Sequence, residues 1–260
     1  MLVRKSPPVH PEARSAFSYR LRPVSVAHPP RQNRLLATLP ETDYARLLAD
    51  LEPTPLLAGQ VLHFPNTAER HLYFIAAGLV VRYNDLKDGA TIEFATTGCD
   101  GVIGIASFLG GESTPFWAEV VSAGFAYRIA GSQVAKEFAQ HSPLAEILLR
   151  YVQALIVEIC QIAVCNRYHS LEEQLSRWLL TSLDRMNSAE MAITHELISN
   201  VLGVRREGVT AALGSLESAG LVHHTRGHLI LLDRPRLEAL VCECYAVVKR
   251  EYARLLPATR

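Results

Sequence analysis

Apolar positions change their period along the chain. From Leu56 to Ile129 they fall into short runs, VLHF, HLYFIAAG, LVVRYN, TIEFATTG, VIGIASFLGG, FWAEVVSAG and FAYRIA, separated by Gly, Asn and Asp. Runs at this spacing predict seven or eight strands of a small antiparallel barrel or jelly roll, with Asp88-Gly89 as a hairpin turn. Ahead of them, Asn33 to Leu51 reads as two short helices, the second opened by Glu41 after Pro40 and burying Leu47, Leu48 and Leu51. Behind them a helix starts at Ser132, breaks at Ser142-Pro143, and gives way to a long one reaching about Asn166, on the order of 35 Å. Leu144, Leu148, Tyr151, Leu155, Ile162 and Cys165 form a near-heptad stripe interrupted by Glu158, while Ile147, Val152, Ile156, Ile159 and Ala163 cover another side. Two apolar faces on one helix imply two partners, the β-barrel and a second copy of the chain.

The most specific pattern is ITHELISNVLGVRREGVTAALGSLESAG, from Ile193 to Gly220. Thr194 is a good N-cap and Glu196 falls in the first helical turn, where the helix dipole favours a negative charge. Leu197, Ile198, Val201 and Leu202 form the buried side of that helix, and Gly203 ends it in the left-handed conformation. Arg205, Arg206 and Glu207 then open a second helix with Val209, Ala212, Leu213 and Leu216 inward and Arg206, Glu207 and Thr210 outward. This is a helix-turn-helix. A guanidinium can pair with guanine O6 and N7, and a carboxylate can accept from cytosine N4, so these side chains suit the end of a recognition helix that meets base edges. LVHHTRGHLILLD follows as a hairpin wing with Arg226 at its tip, within reach of phosphate. Leu171 to Met186 is an amphipathic helix leading into this unit, and Arg236 to Leu256 reads as one terminal helix.

Charge and cysteine content narrow the setting. Formal net charge is +0, so DNA contact has to come from a local patch rather than a global basic field. The Pro-rich segment Met1 to Arg34 holds seven Lys or Arg against Glu12 alone and reads as a flexible basic tail. Five cysteines, Cys99, Cys160, Cys165, Cys242 and Cys244, lack the spacing of a secreted disulfide framework or a CxxC zinc site, which fits a reducing cytoplasm. Cys242 and Cys244, at i and i+2 of a continuous helix, would point to different faces, so no metal site is expected, while a cluster or redox role together with Cys160 and Cys165 stays open. No apolar run reaches membrane-span length and the N-terminus has no apolar core of a leader, so no membrane partner is expected. His63 and His71 lie apart without the imidazole and carboxylate set of a metal-dependent jelly roll, and no nucleophile or acid-base pair stands out. A catalytic site is therefore not expected.

Helical preface, β-roll, long helix and winged helix-turn-helix follow the order of the Crp/Fnr family of bacterial transcription regulators, which the chain resembles over nearly all of Arg34 to Tyr245. ITHELISNVLGVRREGVTAALGSLE with RGHLILLD carries the resemblance most specifically, and NRYHSLEEQLSRWLL resembles the hinge and first helix of the same domain. The implied fold class is α+β, with an N-terminal antiparallel β-roll, a long dimerisation helix and a C-terminal winged helix-turn-helix. Its parts are a basic tail (1–33), a sensor-like roll (34–131), a dimerisation helix with hinge (132–169) and a DNA-binding domain (170–260). By resemblance Arg206 and Glu207 take the places of the family's base-reading pair, with Arg205, Thr210 and Arg226 positioning the domain on phosphates. A homodimer on a twofold-symmetric duplex is implied, with RNA polymerase as a further partner. Ala211 stands where many members carry a second arginine, so the half-site should differ from the best-known one. Ile105 and Pro115 stand where the cyclic-nucleotide pocket has its Glu and Arg, leaving ribose and phosphate without partners, so cyclic AMP is not the expected effector. No cysteine precedes Cys99, so the iron-sulfur branch is not supported, and nothing local marks a haem ligand. No cofactor is identified. The competing reading is a small-molecule or redox sensor that acts through protein contacts.

Overall fold

The computed structural model describes residues 28–257, and the basic tail up to residue 27 lies outside them. Residues 28–33, at the end of the segment read as tail, pack onto the fold: Pro30–Gln32 form a 3-10 turn, and Asn33 is fully buried. The Asn33 carboxamide oxygen accepts from Leu35 N and Leu36 N, capping helix α1 (Arg34–Ala37), while its nitrogen donates to Ile75 O at 2.9 Å and Gly101 O at 2.8 Å. Helix α2 (Glu41–Leu48) buries Leu47, but Leu48, expected inside, is 44% exposed.

Six strands build the roll: β1 (Glu52–Leu56), β2 (Val61–His63), β3 (His71–Asp85), β4 (Thr91–Thr97), β5 (Val102–Ile103) and β6 (Trp117–Ala130), all paired antiparallel. HLYFIAAG and LVVRYN are one strand, and so are FWAEVVSAG and FAYRIA, because Gly78 and Gly124 mark a close crossing of β3 and β6 instead of turns. A Cβ on Gly124 would lie 2.1 Å from Ala77 O, and Gly78 has a φ of 88° that an L side chain rarely adopts. The β3–β6 register shifts there, a bulge that bends both strands and lets a two-strand length of sheet wrap round its core. That core is Leu56, Ile75, Val80, Ile103, Ala118, Val120 and Ala126. VIGIASFLGG is a strand only over Val102–Ile103; a short helix α3 (Ala106–Leu109) follows, and β1 with its two prolines escaped the hydrophobic pattern.

Helix α4 (Gly131–Ala139) leads to the long helix α5 (Pro143–Tyr168), whose N-cap Ser142 accepts from Ala145 N. The near-heptad stripe of α5 is its buried side, and Glu158, the apparent interruption, is buried with it. Of the second stripe, Ile147 is buried with the first and Val152 and Ile159 are half-buried, whereas Ile156 is 55% exposed and Ala163 is exposed; Leu149, which belongs to neither stripe, is 52% exposed beside them. By length and composition α5 is apolar enough to cross a membrane, against the expectation that no run reaches that length. Here the buried half of that surplus packs on the roll and the C-terminal helix.

Helix α6 (Leu171–Met186) opens with a full capping box, Ser170 with Glu173, and is followed by β7 (Glu190–Ala192), α7 (His195–Leu202), α8 (Arg206–Ser218), β8 (Val222–Thr225) and β9 (His228–Leu231). The wing is a three-stranded sheet in the order β7-β9-β8. The terminal segment is two helices, α9 (Arg234–Leu240) and α10 (Glu243–Leu255), since Val241 and Cys242 have extended backbone. One continuous core joins Leu79, Val81, Tyr83 and Val121 of the roll to Trp178, Leu179, Ile198 and Leu213 of the helical part. Polar contacts reinforce it: Trp178 Nε1 donates to Glu93 Oε2 at 2.9 Å, and Thr91 Oγ1 donates to Asn200 O at 3.1 Å.

Candidate nucleic-acid interface

The interface rests on how α7 and α8 are held. Thr194 caps α7 by accepting from Leu197 N, and Gly203 ends it at φ 65°. Val204 N donates to Ser199 O at 3.0 Å, closing the turn. Leu197, Ile198, Val201, Leu202, Val209, Ala212, Leu213 and Leu216 are all buried, as the period predicts. Burial of that side fixes the rotation of α8 and turns the opposite side outward.

Arg205 is the N-cap of α8, Arg206 and Glu207 lie in its first turn, and Thr210 follows one turn on; all four are exposed. The Arg206 guanidinium meets the Glu196 carboxylate at 2.7 Å, an exposed pair that water and salt compete with. Thr210 Oγ1 donates to Arg206 O at 3.0 Å and lies 3.0 Å from His195 Nδ1. Arg226 is exposed in the β8–β9 turn beside Gly227, whose φ of 84° the tight turn requires. It therefore sits on a separate element from the other four.

Two histidines escaped the sequence reading. The rings of His195 and His224 lie 4.9 Å apart, linking the start of α7 to the wing. Burial and the neighbouring His195 hold His224 below the usual histidine pKa, so its ring stays neutral near pH 7. Glu217 of α8 accepts from His224 N at 3.1 Å and lies 3.1 Å from His223 Nδ1, a second tie between recognition helix and wing. Histidine followed by Glu in a cap gives no periodic signal, and these contacts join elements far apart in sequence.

In the roll, Ile105 is the N-cap of the short helix α3, and Pro115 lies in the segment between α3 and β6. The Glu69 carboxylate, buried, accepts from Ala106 N at 2.8 Å and from Thr114 Oγ1 at 2.7 Å. The amide at the start of α3 thus already has an anionic partner from the chain itself. His63 is buried in the roll with its ring 5.8 Å from that of Tyr73, and burial lowers its pKa.

A family model of the cyclic nucleotide-binding domain matches residues 53–141, and one of the Crp-like helix-turn-helix domain matches residues 173–240, together more than half of the chain. No curated protein matches the chain by sequence. Among solved structures, a Crp/Fnr-family transcriptional regulator of Eubacterium rectale is similar at 21% identity and a TM-score of 0.62, covering 81% of this chain and 98% of that one. FixK2 of Bradyrhizobium japonicum is similar at 20% identity and 0.65, over 74% and 98%. The c-di-GMP-responsive global regulator CLP of Xanthomonas campestris is similar at 14% identity and 0.60, over 75% and 100%. At these identities the structures bear on the fold, and the two domain matches bear on what the fold is for. A cyclic nucleotide-binding roll followed by a Crp-like helix-turn-helix makes the chain a member of the Crp/Fnr family of transcriptional regulators, DNA-binding proteins and not enzymes.

Proposed function

We propose that the chain is a cytoplasmic homodimer that binds a twofold-symmetric DNA site, with the first turn of α8 from each copy in the major groove. The exposed set Arg205, Arg206, Glu207 and Thr210, on a helix whose other side is buried, carries this reading. Arg206 and Glu207 read bases, Arg205 and Thr210 hold phosphates near the helix start, and Arg226 reaches a phosphate from the wing. In the free protein Arg206 pairs with Glu196, and on binding this exposed contact exchanges for a base. Selecting random duplexes with the purified chain tests the proposal, the expected product being a palindrome with half-sites about one helical turn apart. Arg206→Ala should cost about 1–3 kcal/mol of specific binding and relax one base position, whereas Arg226→Ala should weaken all sequences alike and flatten the salt dependence. A change of base preference in the Arg226 variant alone would reverse the two assignments.

The second copy seats on the outer face of α5. Leu149 and Ile156 are a heptad apart and exposed, with Ala163 a further heptad on. Ile156→Glu would bury a carboxylate in that seam at twofold-related positions, and sedimentation should find the variant as a monomer with its palindrome affinity lost. A dimer that survives the change places the seam elsewhere. RNA polymerase is the partner that a bound dimer would address. Cyclic AMP does not fit as effector, because Ile105 and Pro115 offer nothing to ribose or phosphate and the Glu69 carboxylate repels an anion from the start of α3.

A further inference from the structure

Where α5 ends and α10 begins, four side chains outside the DNA interface converge. Cys165 lies in the last turn of α5 and His169 is its C-cap; Cys242 is the N-cap of α10 and Cys244 lies in its first turn. The i, i+2 geometry that sets Cys242 and Cys244 on different helix faces does not apply, because Cys242 precedes the helix with an extended backbone. All four ligand atoms lie within 4.8 Å of one another, and the three cysteines are buried. Cys160, one turn earlier on α5, is exposed and outside the group.

We propose that Cys165, His169, Cys242 and Cys244 bind a single zinc ion in a closed Cys3His site that pins the end of the dimerisation helix to the start of the C-terminal helix. With Zn–S near 2.3 Å and Zn–N near 2.05 Å, a tetrahedron has S–S edges of about 3.75 Å and S–N edges of about 3.55 Å. Cys165 Sγ and Cys242 Sγ are 3.7 Å apart, and Cys244 Sγ and His169 Nδ1 are 3.6 Å apart. A cluster of several irons would hold its thiolates farther apart, so the size selects one ion.

The surroundings are those of a metal site. His169 presents Nδ1 to the group while its Nε2 lies 3.4 Å from the Glu243 carboxylate, the outer partner that fixes the ring and its tautomer. Arg177, buried, donates from Nε to Cys165 Sγ at 3.2 Å. Three thiolates and a divalent cation carry one net negative charge, and this guanidinium balances it. Four protein ligands leave no open position for a substrate, so the ion is structural. Its ligands straddle Ser170, where α5 hands over to α6, and fix the packing of α10 along α5 at the base of the DNA-binding half.

The test uses the full-length chain, purified anaerobically without a histidine tag. About one zinc per chain should be found by elemental analysis, and cobalt added to the metal-free chain should give the intense visible bands of tetrahedral Co(II) with thiolate charge transfer. Cys244→Ser should abolish those bands and Cys160→Ser should leave them intact. Glu243→Gln should weaken cobalt affinity by about 10- to 100-fold. Chelator should lower the unfolding temperature of the unaltered chain and have no such effect on Cys244→Ser. The spectrum of the unaltered chain decides even where a cysteine variant does not fold. A folded, reduced chain that takes up neither ion, an octahedral cobalt spectrum, or Cys165 and Cys242 isolated as a disulfide overturns the proposal.

Discussion

Arg185→Ala should lower the stability of the fold by about 3–5 kcal/mol, read as a shift of the urea unfolding midpoint at pH 7. Arg185 closes α6 with its side chain 3% exposed, inside the junction of roll, long helix and terminal helix. Nη1 and Nη2 donate to the two oxygens of Glu158 at 2.7 and 2.8 Å, Nε donates to Asp100 Oδ2 at 2.8 Å, and Nη1 also reaches Thr96 O at 2.6 Å. Tyr252 of α10 donates to Glu158 Oε2 at 2.7 Å and places its ring 5.1 Å from the guanidinium. Gly98 permits this approach, since a Cβ there would lie 2.6 Å from Arg185 O. Removing the guanidinium leaves the carboxylates of Glu158 and Asp100 in the interior without their cation, and that desolvation sets the magnitude. Adding Glu158→Leu to the Arg185 variant should recover part of the loss, because one orphaned charge goes with it. A single-variant cost below about 1 kcal/mol would mean that water already reaches the cluster.

Elements whose signals are local were legible in the sequence, and features that depend on a distant partner were not. Thr194, Gly203 and the period of Leu197 to Leu216 all act within a turn or two, so the helix-turn-helix could be drawn from them, down to the outward side of α8. Gly78 and Gly124 look like turn residues because a glycine signals permissive backbone, and only the facing strand decides that the use is a bulge. Glu158 reads as a flaw in an apolar stripe because Arg185 lies 27 residues away. The cysteine and histidine group was hidden for a further reason. Neither Pro nor Gly marks the break at Val241 and Cys242, so the pattern runs on as one helix and sends the two thiols apart. The wing's third strand, β7, is too short to show a period of its own.

Glu93→Gln should stabilise the chain at pH 8 by up to about 3 kcal/mol and at pH 5 by less than about 1 kcal/mol. Glu93 lies in β4 against the helical half, and burial is the main cause that raises its pKa from 4.5 to about 7, against the opposing hydrogen bonds from Thr96 and Trp178. The folded chain thus holds this proton more tightly than the unfolded chain. Its contribution to stability is fully present below pH 4.5 and is lost as pH rises to about 7, above which the junction carries a buried carboxylate. Glutamine keeps both contacts without the charge: its oxygen can accept from Trp178 Nε1, and its amide can donate to Thr96 Oγ1. Urea unfolding of both chains between pH 5 and pH 8 is the check, and their difference should open across that window. Parallel profiles would show that Glu93 ionises freely and that the junction is wetter than its packing implies. Glu93 and Trp178 connect the roll to the helix beneath the DNA-binding unit, with Thr91 bonded to Asn200 beside them. Ionisation of this one carboxyl near neutral pH therefore works against the contact that sets how the roll and the recognition helix are held together.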